Sequence, residues 1–106
     1  MGRSPSKRGV GFAFGPDITQ NFLDENKLSL VVRSHEVKDD GYVVEHDGKC
    51  ITIFSAPNYC DQMKNKGAFI RFYEDMKPNF KTFSEVPHPQ IPPMVYSSGL
   101  MSQFGL

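Results

Sequence analysis

The sequence predicts a mixed α/β fold, more narrowly an α+β arrangement, with about one helix and five or six short strands. Three patterns in its 106 residues carry this prediction: one segment with helix start and stop signals, one short apolar run, and two alternating stretches that fold about turn residues. Hydrophobic residues make up 39% of the chain, with nine Phe and four Tyr, which is the composition of a folded protein rather than of a disordered segment.

The N-terminal stretch leads into the one predicted helix. Residues 1–8 are polar and basic and predict an extended lead-in, whereas residues 9–15 alternate small and apolar side chains and predict a short strand. Pro16 suits the first position of a helix, and the acidic Asp17 complements the helix dipole there. Asn26 can adopt the left-handed conformation that ends a helix, so we expect the helix to cover residues 16–26.

A short apolar run over residues 28–32 predicts the next strand. It is nearly unbroken, which is typical of a strand buried on both faces, and it is too short for a helix. A polar cluster, Arg33-Ser34-His35-Glu36, follows directly at its carboxyl end. Because sites in open sheets are built at the carboxyl ends of strands, this cluster is a candidate site.

Two hairpins are predicted in the second half of the chain. Asp47-Gly48 suits the positive φ angles of a tight primed turn and joins strands at residues 42–46 and 49–54. Residues 68–73 and 80–83 form a second strand pair across a turn that contains Pro78. Between the hairpins, the polar stretch up to Gly67 predicts an exposed loop.

Charge and cysteine content limit the classes of partner. Twelve basic residues balance twelve acidic ones, so no overall field attracts nucleic acid or an anionic membrane, and we expect neither as a partner. The chain has only two cysteines, which favours a reducing compartment. It contains no apolar run long enough for a membrane span or a signal peptide. We therefore expect a cytoplasmic protein that could also be present in the nucleus.

Several side chains are candidates for chemistry, each with an ordinary alternative. His35 follows a predicted strand and could bind a metal ion or be an ordinary histidine. Arg8 and Arg33 could grip an anion through the guanidinium fork or remain solvated charges. Tyr59 could donate its phenolic proton to a phosphate or pack its ring, and Cys60 could be an exposed thiol or a small buried side chain. For His46 and His88 we expect ordinary surface or turn roles.

Three stretches, matched in order and spacing, resemble the last third of the phosphoprotein phosphatase family. They are Lys7-Arg8-Gly9-Val10, Arg33-Ser34-His35-Glu36 with Gly41-Tyr42, and Ser55-Ala56-Pro57-Asn58-Tyr59-Cys60-Asp61. The resemblance runs from about residue 2 to about residue 96. Within the family the chain is most similar to the type-five branch, as in Cys60-Asp61-Gln62-Met63 and Val86-Pro87-His88-Pro89.

The resemblance implies a metallophosphoesterase-like β-sandwich covered by helices and a phosphatase acting on phosphoserine and phosphothreonine in phosphoproteins. It implies two divalent metal ions, manganese, iron or zinc. Carried over residue by residue, His35 matches the last metal-ligand histidine, and Arg8 matches an arginine that grips the substrate phosphate. Tyr59 matches a tyrosine of the phosphate pocket, and Tyr59 with Cys60 matches a loop that certain inhibitors contact.

The sequence also departs from the family. Lys64 stands where relatives often have glycine, so the loop is strained if that position requires a positive φ. The motifs that carry the other metal ligands and the catalytic His-Asp pair are not found, so the resemblance implies a C-terminal fragment that is inactive alone and holds at most one ligand. A chaperone partner would require the tetratricopeptide domain of the type-five branch, which is also not found.

The resemblance divides the chain into a lead-in (1–8), a catalytic-domain portion (9–86) and a Pro-rich tail (87–106). Residues 94–106 are expected to match the C-terminal helix that holds the type-five branch inactive. The alternative function is a non-catalytic short form that binds phosphatase regulators through the Tyr59-Cys60 loop.

Overall fold

The structure is a computed structural model and describes residues 1–92. Within this range the chain forms one α-helix, seven strands and one 3₁₀ turn. In chain order they are β1 (Arg3–Pro5), β2 (Phe12–Phe14), α1 (Pro16–Asn26), β3 (Val31–Arg33), β4 (Tyr42–Glu45), β5 (Cys50–Ile53), the 3₁₀ turn (Tyr59–Asp61), β6 (Gly67–Phe72) and β7 (Pro78–Phe83). The predicted fold class, α/β with one helix and mostly antiparallel strands, is confirmed.

The strands form three small sheets. β1 and β2 pair antiparallel, as do β6 and β7. The central sheet has the order β3-β5-β4, in which β5 is antiparallel to β4 and parallel to β3. The described residues therefore contain seven strands, one more than the upper value of the five or six expected.

The additional strand is β1, in the segment predicted as an extended lead-in. The turn that folds β1 back onto β2 contains Gly9 and Gly11, whose φ angles are +81° and +74°. The Gly9 N–H donates to the Ser6 carbonyl at 3.1 Å, and the Ser6 N–H donates to the Gly11 carbonyl at 3.3 Å. Polar composition concealed this strand, because both of its faces are exposed and it shows no apolar alternation.

Helix α1 has the predicted bounds, with Pro16 in its first turn. The residue that ends it is not Asn26 but Lys27, which adopts φ 55° and ψ 45° and whose N–H bonds to the Asp24 carbonyl at 3.3 Å. Asn26 remains helical, and its Nδ2 donates to the Phe22 carbonyl at 2.8 Å. The left-handed cap is thus one residue later than expected.

The predicted Asp47-Gly48 turn is confirmed. Asp47 and Gly48 have φ angles of 55° and 83°, and the Lys49 N–H donates to the His46 carbonyl at 3.0 Å. Positive φ at both central positions is what a type I′ turn requires, and this turn matches the twist of a hairpin. It sets the register of the central sheet, with Glu45 opposite Cys50.

The expectation of a strand buried on both faces over residues 28–32 is wrong. The strand is Val31–Arg33, and Leu28 and Val32 are 52% and 47% exposed. β3 lies at the edge of the central sheet, and no layer formed by the described residues covers the outer side of Val32. An apolar run can predict burial, but it cannot say which element supplies the cover.

The packed interior is small for a chain of this length. Four hydrophobic residues of the described part are buried: Leu23, Cys50, Ile51 and Ala68. The Cα radius of gyration is 19.0 Å, against about 13 Å for a compact domain of 100 residues.

None of the helical residues described forms a segment long and apolar enough to cross a membrane. The tail helix expected at residues 94–106 lies outside the described residues.

Candidate functional site

The carboxyl ends of β3 and β5 lie side by side. The two strands run parallel, with Arg33 opposite Thr52, so the residues that follow each strand emerge at the same edge of the sheet. Ser34 donates from its hydroxyl to the Ile53 carbonyl at 2.6 Å and joins the two exits. His35 follows with a φ of 87°, an uncommon conformation for a residue with a side chain, and is exposed.

Arg8 reaches this edge from the turn between β1 and β2. Its Nη2 donates to the His35 carbonyl at 3.0 Å and lies 3.8 Å from Glu36 Oε1. The structure therefore brings two of the residues singled out from the sequence, Arg8 and His35, into direct contact across 27 positions of the chain.

Glu36 is surrounded by three cationic groups. Arg33 Nη2 lies 2.9 Å from Glu36 Oε1, Lys38 Nζ lies 3.6 Å from Oε2, and Arg8 completes the group. Partial burial raises the pKa of Glu36, but the nearby charges of Arg33, Lys38 and Arg8 lower it by more, so its pKa lies below the ordinary value of 4.5. Glu36 is thus an ionised carboxylate at neutral pH, and it forms ion pairs with all three of these cationic side chains.

Arg33 is fixed on both sides of its guanidinium. Nη2 pairs with Glu36, and Nη1 donates to the Thr52 hydroxyl at 2.9 Å. Thr52 is 3% exposed, so this donor is anchored to the interior of the central sheet. The sequence left Arg33 as either an anion binder or a solvated charge; in the structure its guanidinium contacts Glu36 and Thr52.

A cleft of about 570 Å³ opens beside this cluster. Its walls come from the β1–β2 hairpin, the β3 exit and the β4–β5 hairpin. They include Ser6, Lys7, Arg8, Phe12, Ala13, Phe14, Arg33, Glu36, Glu45, His46, Cys50 and Thr52. Aromatic rings and guanidinium groups together suit an anionic group attached to a larger body. Burial raises the pKa of the Cys50 thiol. The charge of Arg33 lowers this pKa by less than burial raises it, and the charge of Glu45 adds a smaller increase.

Tyr59 and Cys60 lie on a different loop, between β5 and β6. The Tyr59 ring is 46% exposed and packs edge to face against Phe54, with ring centroids 5.0 Å apart. Cys60 is an exposed free thiol with a φ of 58°. Neither residue is part of the lining of the 570 Å³ cleft beside Arg8.

The exposed loop predicted before Gly67 has a buried residue at its centre. Asn65 is 2% exposed and bonds to three backbone groups of the loop. Sequence reasoning missed the burial of Asn65, since a polar residue in a polar stretch gives no periodic signal. The prediction for Lys64 is confirmed, because its φ is 53°.

The other two histidines lie at the surface and in a turn. His46 Nδ1 and the Thr19 hydroxyl are 2.7 Å apart, which joins the β4–β5 turn to helix α1. His88 Nε2 lies 2.8 Å from Asp61 Oδ1 and connects the Pro-rich stretch to the 3₁₀ turn.

The described residues do not by themselves fit a metal centre. His35 is the one ligand that the family resemblance assigns. Over residues 1–92, no three His, Cys, Asp or Glu side chains are grouped so that they could hold a metal ion. A two-metal site needs several such ligands on each ion.

Comparisons with known proteins agree on one class. Serine/threonine-protein phosphatase 5 of Solanum lycopersicum is 68% identical over 97% of this chain, which spans 19% of that protein. Serine/threonine-protein phosphatase T of Trypanosoma brucei brucei is 66% identical over 99% of this chain and 22% of its own length. A solved protein serine/threonine phosphatase of Saccharomyces cerevisiae matches 90% of this chain and 33% of its own, with a TM-score of 0.77 and 44% identity. No protein-family model matches.

The fold and these likenesses define a serine/threonine phosphatase segment, and the chain belongs to the phosphoprotein phosphatase family. Within the family it resembles the branch of phosphatases 5 and T, as the sequence predicted. It spans about one fifth of the length of these relatives.

Proposed function

We propose that this chain forms the phosphate-gripping side of a protein serine/threonine phosphatase active site. Arg8 and Tyr59 bind the substrate phosphate, and His35 binds a metal ion. The observation that carries the proposal is the hydrogen bond of 3.0 Å from Arg8 to the His35 carbonyl, which fixes an anion-binding group beside a candidate ligand. The substrates are phosphoproteins with phosphoserine or phosphothreonine.

The contacts of Arg8 leave donors for a phosphate. A guanidinium has five N–H donors, and the described contacts of Arg8 use only Nη2. The N–H groups of Nη1 and Nε therefore remain available to donate to phosphate oxygens. The Arg8 side chain is 48% exposed, so a substrate can reach it.

The activity needs more than the described residues supply. We propose two divalent ions, manganese, iron or zinc, with His35 as one ligand and the others from a longer phosphatase chain like those of the relatives. Because the described residues hold no group of three ligands, the 106-residue chain by itself is inactive under this proposal.

A chimera tests the proposal. The chain replaces its matched segment in the tomato phosphatase 5, and turnover of a phosphoserine peptide is measured. Arg8→Ala is expected to lower kcat/KM by about 100-fold, which is typical for loss of one preorganised donor to a developing charge. Arg71→Ala is the matched control, because the Arg71 guanidinium lies over the Tyr73 ring at 5.1 Å, away from the cluster.

Equal turnover by the Arg8→Ala and Arg71→Ala chimeras would contradict the role of Arg8. Turnover by the 106-residue chain with added manganese would contradict the proposed inactivity.

An immunoblot of source cells bears on the alternative of a non-catalytic short form. A stable band at 12.0 kDa would favour that alternative, and a much larger band would favour the phosphatase.

A further inference from the structure

The loop that carries Tyr59 has an unusual backbone. Four of its residues other than glycine have positive φ angles: Asn58 at 47°, Cys60 at 58°, Asp61 at 56° and Lys64 at 53°. The left-handed conformation costs an L-residue about 1–2 kcal/mol. Such a backbone persists only where the surroundings determine it strongly, and it concentrates at functional sites.

Asn65 holds the backbone of this loop in place from inside. Its Oδ1 accepts the Tyr59 N–H at 2.8 Å, and its Nδ2 donates to the carbonyls of Ala56 and Lys66, both at 2.9 Å. The residue is 2% exposed, so water cannot replace these partners. Losing a buried partner leaves the remaining groups unsatisfied, which costs about 1–3 kcal/mol for each group.

Asn58 closes the loop from the opposite side. Its N–H donates to the Asn65 carbonyl at 2.8 Å, and its Oδ1 accepts the Lys64 N–H at 3.0 Å. The Asp61 N–H donates to the Asn58 carbonyl at 2.9 Å. Two asparagines thus hold the backbone on both sides of Tyr59.

The position of the Tyr59 phenol depends on this backbone. The ring is held on one side by Phe54 at an interplanar angle of 89° and is otherwise 46% exposed. No hydrogen bond from the phenol to another described residue fixes its orientation. The position of this side chain therefore depends on the Phe54 contact and on the Tyr59 N–H, which Asn65 holds.

We propose that Asn65 is a positioning residue, which holds the Tyr59 backbone so that the phenol is presented to the substrate phosphate. The catalytic part rests on the proposed function. The structural part, that Asn65 orders the segment from Ala56 to Lys66, does not.

The test uses the same chimera with three variants. Asn65→Ala removes all three side-chain bonds, and Asn65→Asp keeps the volume and one acceptor but loses both Nδ2 donations. Asn79→Ala is the matched control, because Asn79 also donates from Nδ2 to two backbone carbonyls, of Arg71 and Lys77, but at the β6–β7 turn. Hydrogen exchange of peptides covering residues 55–66 is measured by mass spectrometry, together with kcat and KM.

Both Asn65 variants are expected to speed exchange in residues 55–66 and to lower kcat/KM by about 10- to 100-fold, as a misplaced group does. Asn79→Ala leaves both unchanged. Because Asn65 acts through Tyr59, Asn65→Ala in a Tyr59→Phe background lowers kcat/KM no further. A residue that only stabilises the fold would instead lower the unfolding temperature and leave kcat/KM unchanged below it.

The outcomes separate this proposal from the function it rests on. Unchanged exchange in the Asn65 variants overturns it, whatever the activity. Full additivity with Tyr59→Phe also overturns it, because the loss then arises elsewhere. If Arg8→Ala leaves turnover intact while the Asn65 variants exchange faster, the proposed function fails and the ordering of the loop by Asn65 stands. If Asn65→Ala does not fold, Asn65→Asp, which keeps the volume, decides.

Discussion

Gly41 lies so close to Ala68 that a Cβ added to Gly41 would meet the Ala68 Cβ at 2.7 Å. This close approach of Gly41 to Ala68 joins the central sheet to the β6–β7 sheet. The Gly41 carbonyl accepts the Phe54 N–H at 2.8 Å, and the Phe54 carbonyl accepts the Ala68 N–H at 3.0 Å. Gly41, Phe54 and Ala68 thus form one hydrogen-bonded ladder that leaves no room for a side chain at position 41.

Gly41→Ala is expected to destabilise the chain by about 2–5 kcal/mol, because a positive φ and overpacking act together. Gly48→Ala is the matched control. Its φ is nearly the same, 83° against 84°, but nothing lies within 4 Å of the added Cβ. Only the backbone cost of about 1–2 kcal/mol should remain there. Urea unfolding of the two variants measures the difference, and equal losses would show that crowding at Gly41 contributes nothing.

Lys27→Gly is expected to stabilise the chain by about 0.5–1 kcal/mol, the left-handed cost of Lys27 less the backbone entropy of glycine. Lys27 holds φ 55° at the end of α1, where glycine is the common residue. Lys77→Gly serves as the control, because the φ of Lys77 is not positive, and it should give no gain. Thermal unfolding measures both, and a loss of stability in Lys27→Gly would contradict the argument.

Glu36→Gln is expected to destabilise the chain slightly at neutral pH and to have no such effect at acid pH, where Glu36 is protonated. The pKa of Glu36 is lowered in the folded state, so its contribution is present above the ordinary value of 4.5 and is lost as the pH falls through the folded pKa. Since the carboxylate is half exposed, solvent screens the effect to about 1 kcal/mol or less.

Urea unfolding of the wild type and of Glu36→Gln from neutral to acid pH measures this difference, which should also shrink with added salt. Glu85→Gln is the control, since Glu85 makes no ion pair with the described residues. A difference for Glu36→Gln that grows on acidification would contradict the sign.

Iodoacetamide is expected to label Cys60 and to leave Cys50 unmodified in the folded chain. Cys50 is 4% exposed and burial raises the pKa of its thiol, whereas Cys60 is exposed. The thiolate is the reactive form, so both access and ionisation disfavour Cys50. Peptide mass spectrometry identifies the site, Cys60→Ala should abolish labelling, and urea should expose both. Preferential labelling of Cys50 would contradict its burial.

Local chemistry explains which features could be predicted from the sequence. The start of α1 follows from Pro16 and from Asp17 in the first turn, and the Asp47-Gly48 turn needs only two residues that accept positive φ. The same reasoning placed the left-handed residue at Asn26 instead of Lys27, because it ranked residue types and could not know where packing ends the helix.

Features that depend on distant contacts could not be predicted. The parallel pairing of Val31 with Cys50 has no local pattern, and neither does the meeting of Arg8 with His35. The burial of Asn65 depends on backbone groups of its own loop that become accessible only when the loop is closed. The roles of Arg8, His35 and Tyr59 in a phosphatase site stay predictions.

The strand order β3-β5-β4 has a consequence for the sequence of folding events. β5 can pair early with β4, since a hairpin closes in about 1–10 μs, whereas β3 must span the 19 positions from Val31 to Cys50 to find the same strand. We therefore expect β3 to pair with β5 after the β4–β5 hairpin has formed, and the edge that carries His35 and Glu36 to be completed at that step. A substitution that slows closure of the Asp47-Gly48 turn is expected to delay assembly of this edge, although it changes no residue of the edge.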